Sequence, residues 1–123
     1  MAVTQSFIDS VSELFAFVAE LRAKRMFGAA AFYSGDAIFA LADDDQVWLK
    51  VDDESSPRFE AEGLEQFVYG EKDGKPLIMA YRRAPEAIWD DPDTAREWAN
   101  LAIGAALRGK ARKAARKTGR KGS

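Results

Sequence analysis

Residues 29–51 read AAAFYSGDAIFALADDDQVWLKV. Three short apolar runs, Ala29 to Tyr33, Ala37 to Leu41 and Gln46 to Val51, are separated by Ser34-Gly35-Asp36 and Asp43-Asp44-Asp45. Turn-forming residues at both junctions, with so little chain between the runs, predict an antiparallel meander of three strands. In the third run Val47, Leu49 and Val51 alternate with Trp48 and Lys50, so one face is apolar and the other mixed. Upstream, Phe7, Val11, Leu14, Val18 and Leu21 recur at helical spacing, widened by Ile8 and Phe15. This pattern predicts one amphipathic helix from Thr4 to Lys24, capped by Thr4 or Ser6 and closed by Arg22, Lys24 and Arg25.

Downstream, Ser56-Pro57 starts a short helix, with Phe59 and Leu64 as its apolar contacts and Gly63 at its left-handed C-terminal position. Phe67 to Tyr69 and Leu77 to Tyr81 pair across the turn Glu71 to Lys75. A brief turn over Pro85 to Trp89 leads to Asp91-Pro92, which opens a helix through Trp98, Ala102, Ala105 and Leu107. The order helix, three strands, helix, two strands, helix predicts a two-layer α+β fold built on one antiparallel five-stranded sheet.

Charge divides the chain in two. Residues 1–107 hold ten Lys or Arg against twenty acids, and residues 108–123 hold eight Lys or Arg and no acid. A body of net charge near -10 therefore carries a tail of +8, and the formal net charge of -2 conceals both. The expected domain layout is a body over 1–107 and a basic tail over 108–123. In the tail Arg108/Arg112, Arg112/Arg116 and Lys113/Lys117 are like-charge pairs four residues apart, each unfavourable in a helix by a few tenths of a kcal/mol. The tail is accordingly expected to be disordered when free and to order on a polyanion. Its candidate nucleic-acid contacts are Arg108, Lys110, Arg112, Lys113, Arg116, Lys117, Arg120 and Lys121, binding DNA or RNA without sequence preference. The alternative is a solubility tail, or an arm lying on the acidic body.

Absent residue types narrow the chemistry. With no cysteine there are no disulfides, thiol nucleophiles or thiolate metal sites. With no histidine there is no imidazole base for a nucleophile and no histidine-held metal. The acidic clusters Asp43-Asp44-Asp45, Asp52-Asp53-Glu54 and Asp90-Asp91 with Asp93 lack the spacing of a calcium loop and sit where Asp forms turns and caps helices. No phosphate-binding glycine motif is present. Neither a cofactor nor a metal is expected. Tyr33, Phe39, Trp48, Phe67, Tyr69 and Tyr81 lie on strands and are read as core or cross-strand packing, since the sheet must bury one face against the helices, in preference to a base-stacking platform. Arg82 and Arg83, with Arg25 and Lys50, are either a weak anion-binding surface or protective cations on a solvated sheet edge. No signal-peptide pattern or membrane-length apolar stretch occurs, so a cytoplasmic protein without membrane contact is expected.

Arg25-Met26-Phe27-Gly28, Trp48-Leu49-Lys50-Val51-Asp52, Pro57 to Leu64 (PRFEAEGL), Met79-Ala80-Tyr81, Pro85 and the Asp91-Pro92 to Ala106 helix occur in an order and spacing that resembles the TfoX N-terminal domain of the Sxy/TfoX competence regulators. The resemblance covers about residues 8 to 107. It implies a two-layer α+β domain in a bacterial regulatory protein that acts with a transcription activator of the cyclic-AMP receptor type. It supplies no catalytic residues. The resulting expectation is a non-enzymatic accessory protein whose body contacts a transcription regulator and whose tail contacts nucleic acid. The alternative is a protein- or ligand-interaction module with no nucleic-acid role.

Overall fold

The first helix, α1, runs Gln5–Leu14 with Thr4 as its N-cap, the hydroxyl accepting the Phe7 N–H at 3.1 Å. The computed structural model that defines these elements describes residues 3–26 and 28–122, and for 77, 78 and 116–122 the backbone but not the side chain. α1 ends ten residues earlier than its apolar spacing predicts. Beyond it the chain turns, with Glu20 at φ +51°, and the carbonyls of Ala19 and Glu20 accept from Ser34 Oγ (2.8 Å) and the Gly35 N–H (3.1 Å). Those carbonyls are thereby tied to the neighbouring hairpin. Leu21–Met26, expected to close the first helix, is strand β1.

The sheet consequently has six strands where five were expected. Strands β2 (Ala29–Ser34), β3 (Ala37–Asp43), β4 (Gln46–Lys50), β5 (Gln66–Lys72) and β6 (Lys75–Arg83) complete it in the order β1-β2-β3-β4-β6-β5, every neighbouring pair antiparallel. The short helix α2 (Ser56–Ala61) links β4 to β5, and a 3-10 turn over Glu86–Trp89 precedes the long helix α3 (Pro92–Gly122). The three-strand meander, the β5–β6 hairpin and the α+β class agree with the sequence reading.

Turn chemistry accounts for the connections. Asp44 and Asp45, at φ +51° and +61°, join β3 to β4 in a two-residue loop, and Asp73-Gly74 joins β5 to β6 the same way at +53° and +77°. Positive φ at both positions makes a turn whose twist matches the strands, and Asp and Gly tolerate it best. The first acidic cluster is thus hairpin hardware. Asp91 caps α3, accepting from the Asp93 N–H at 3.1 Å and the Thr94 hydroxyl at 2.8 Å.

One face of the sheet meets the helices. Val11 and Phe15 from the first helix and its exit, Phe59 of α2, Ile88 of the 3-10 turn, and Ala95, Trp98, Ala99, Ala102 and Ala106 of α3 close on Phe32, Phe39, Ala40, Val47 and Leu49. Small residues along α3 let its backbone approach β3 and β4. A bulge sharpens the fit: Phe32 pairs with Ala40 and Tyr33 with Ile38, leaving Phe39 as the extra residue. Phe39 and Ala40 therefore both face the core, which strict alternation does not allow.

Among the described residues no helix packs on the apolar cluster of the opposite face. That cluster, made of strand residues throughout, buries Ala31, Leu41 and Tyr81 and part-buries Met26, Tyr33, Ile38, Trp48 and Phe67. Of the six strand aromatics, Phe39 thus joins the helix-side core, Tyr81 the second cluster, and Tyr69 stands 57% exposed.

Candidate functional site: the cationic extension of α3

Along α3 the buried residues Ala95, Trp98, Ala99, Ala102, Ala105 and Ala106 form one stripe at helical spacing. The stripe ends at Ala106, and Leu107 is 53% exposed. The helix nevertheless continues into the basic segment as far as Gly122. From residue 108 onward the sequence of the helix holds eight Lys or Arg and no acid.

Arg108 ties this segment to the body. Its Nε donates to Asp52 Oδ2 at 2.7 Å and its Nη2 to Asp52 Oδ1 at 3.0 Å, the two-pronged geometry a guanidinium offers a carboxylate. Its Nη1 lies 3.2 Å from Glu54, and Arg112 lies 3.8 Å from Asp52. Gly104, one turn back, leaves room for this guanidinium, since a Cβ there would stand 3.3 Å from Nη1.

Asp52 is the anchor because its loop leaves it little choice. Its side chain is 6% exposed. Its N–H donates to Ser55 Oγ at 3.1 Å while Oδ1 accepts the Ser55 N–H at 3.0 Å, a reciprocal cap at the turn that enters α2. The Arg108 hydrogen bonds, outweighing desolvation, hold the Asp52 carboxyl well below the usual carboxylate range.

Beside this pair lies an open cleft of about 500 Å3. Lys110, Arg112 and Lys113 from α3 and Lys50 from the end of β4 line it, with Asp36, Ile38 and Asp53. Burial, reinforced by repulsion from Lys113 and only partly countered by Asp52, lowers the pKa of Lys50.

The structure separates the expected contact residues. Arg108 is committed to Asp52 and Glu54, and Arg112 lies near Asp52. Lys110 and Lys113 are exposed at the cleft and make no ion pair within 4 Å among the described residues. Arg116, Lys117, Arg120 and Lys121 follow on the helical backbone, but their side chains lie outside the described residues. Of the four cations read as a weak anion surface, three are engaged by the body's own polar groups. Arg25 donates to the Val3 carbonyl, Arg82 to the Leu64 carbonyl and Glu60, and Arg83 to Gln46 while pairing with Glu65. Lys50 makes no such pair; its ammonium lies 5.1 Å from the Tyr81 ring centre.

Gly109 sits where the helix leaves the body, and a Cβ there would meet nothing within 4 Å. Gly109→Ala is expected to stabilise α3 by about 0.5–1 kcal/mol, because alanine loses less backbone freedom in a helix. A rise in melting temperature with increased ellipticity at 222 nm checks it.

A six-stranded antiparallel sheet, helices on one face and a last helix that continues into a basic segment define a two-layer α+β domain with a basic extension. The chain belongs to the TfoX N-terminal domain family, whose model matches residues 13–106. The match ends at the last buried residue of α3, so the basic extension follows the matched region. Among curated proteins none matches the chain. No helix among the described residues is long and apolar enough to cross a membrane.

Proposed function

We propose that this protein is a non-enzymatic, cytoplasmic accessory regulator, linked to transcription and to competence as the family name suggests, in which the extension of α3 holds nucleic acid. The body is the part that contacts a protein regulator. The carrying observation is the abrupt end of the buried stripe at Ala106, after which the helix bears eight cations and no acid. Phosphate attraction offsets the like-charge repulsion along such a helix and carries no sequence information.

Arg108 is excluded from the binding set because the body uses it. A truncation at 107 would strand Asp52, so the clean test keeps the full chain and replaces Lys110, Arg112, Lys113, Arg116, Lys117, Arg120 and Lys121 with Gln. For about four to six neutralised phosphates, log K falls against log salt with a slope of roughly -4 to -5 for the wild-type chain. The Gln variant is expected to lose that slope with its fold intact by circular dichroism. Equal, negligible binding by both chains would overturn the reading and favour an interaction module with a solubilising tail. The contacts of Arg108 and Arg112 with the acidic loop are the observation on that side.

A further inference from the structure

The tail reading leaves the open face of the sheet unused. Register places Lys24, Ala31, Leu41, Trp48 and Arg83 in one row across five strands, with the buried Ala31 and Leu41 between Lys24 and Trp48. A second row begins Arg22, Tyr33, Ile38, and Lys50 opposes Tyr81. Tyr33, Trp48 and Phe67 are part-exposed rings, the last two edge-to-face at 4.9 Å.

Cations lie over two of the rings. Arg22 lies 4.9 Å from the Tyr33 ring centre and Lys50 5.1 Å from that of Tyr81. On strands β1 to β4 this face carries Arg22, Lys24 and Lys50 against one acid, Asp43, while Asp36 and Asp53 line the adjoining cleft. Arg22 and Arg83 have exposed acid neighbours in Asp36 and Glu65. Lys24 and Lys50 have none within 4 Å among the described residues.

The cleft makes this face and the α3 extension continuous. Lys50 and Ile38 reach it from the sheet, Lys110 and Lys113 from the helix. Lys50 and Lys113 repel each other there, a repulsion that a bound phosphate relieves.

We propose that the open sheet face and the α3 extension form one track for single-stranded nucleic acid, with bases set against Tyr33, Trp48 and Phe67 and phosphates held by Lys24, Lys50, Lys110 and Lys113. The inference rests on the nucleic-acid reading above and narrows it. A duplex keeps its base faces inside its own stack, whereas unpaired bases are free to stack on rings carried by a sheet. The charge on the face matches a polyanion, although the body as a whole is acidic.

The test uses the full chain, a labelled oligothymidylate and a mixed-sequence duplex of equal length, followed by anisotropy and tryptophan emission. The single strand is expected to bind about tenfold more tightly than the duplex, consistent with one well-stacked base, and to quench tryptophan emission. In Trp48→Leu the quenching disappears and the ratio of single-strand to duplex affinity falls to near one. Should that variant fail to fold, Lys50→Gln supplies the second probe: it weakens single-strand binding more than Lys72→Gln, a change in the distant β5–β6 hairpin. Equal affinity for both nucleic acids without quenching, abolished by the extension-to-Gln chain, overturns the track and leaves the tail reading standing. No binding to either overturns both. Concentration-dependent dimerisation that changes tryptophan emission without nucleic acid also overturns the track and assigns the face to a second copy.

Discussion

Phe15→Ala is expected to lower the unfolding free energy by about 3–5 kcal/mol, the range for removing a large side chain from a filled core. Phe15 is fully buried, and its ring meets Phe17 at 6.5 Å, Phe32 at 6.4 Å and Phe39 at 5.3 Å, each near edge-to-face. The residue lies just after α1, so its ring connects that helix to β2 and β3. Truncation opens a cavity whose walls are held by strand pairing on one side and by α3 on the other, which leaves little scope for collapse. A domain of this size has roughly 5–15 kcal/mol in total, so the variant should sit near the edge of folding. Urea unfolding followed by circular dichroism reads the loss as a lower midpoint at nearly constant slope. Phe15→Leu, which keeps much of the volume, should lose well under half as much. Equal stability of Phe15→Ala and the parent chain would mean that this ring is not the junction it appears from its contacts to be.

The same residue explains why the first element was only half legible. Phe15, Val18 and Leu21 continue the helical spacing of Phe7, Val11 and Leu14, yet they reach the common core from a turn and a strand. Periodicity records which side chains face the core, and here a turn delivers them as a helix would. β1 was hidden for a second reason. It is an edge strand reading LRAKRM, with three cations in six residues, and cations on an edge discourage pairing with another chain. In sequence the same cations suit a helix C-terminus. By contrast, the hairpins were legible because the left-handed residues Asp44, Asp45, Asp73 and Gly74 have few other uses between apolar runs. Gly63, at φ +70°, ended α2 for the same reason. The bulge at Phe39 was not legible, since Ala37 to Leu41 is apolar at every position and carries no phase.

At the candidate site the eight cations were legible as composition, and their division of labour was not. Asp52 was read with Asp53 and Glu54 as turn and cap chemistry, which its exchange with Ser55 bears out. Its second partner, Arg108, is 56 residues away, and no local pattern connects them. That Lys50 and Lys113 line one cleft likewise joins residues 63 positions apart, which no local pattern connects.

That long-range pair yields the second large effect. Arg108→Ala is expected to cost about 2–3 kcal/mol, less than for a fully buried pair because Arg108 is 35% exposed and water can approach the vacated side. The loss comes mainly from Asp52, whose nearly buried carboxylate would keep its Ser55 hydrogen bond but lose both guanidinium contacts. Adding Asp52→Asn to the Arg108→Ala chain should therefore recover part of the stability, since the amide oxygen still accepts the Ser55 N–H and carries no charge. The pH dependence follows from the direction of the Asp52 shift. Its carboxyl is more acidic folded than unfolded, so the pair contributes fully above the ordinary Asp pKa of about 3.9 and is lost as pH falls through the lower folded value. The difference in urea midpoint between wild type and Arg108→Ala should be largest near pH 7 and should shrink progressively below about pH 4. A difference that stayed constant into acid would assign the loss to side-chain packing along α3 and not to the Asp52 pair. Near neutral pH, then, the root of the basic helix is held by the body's own acid.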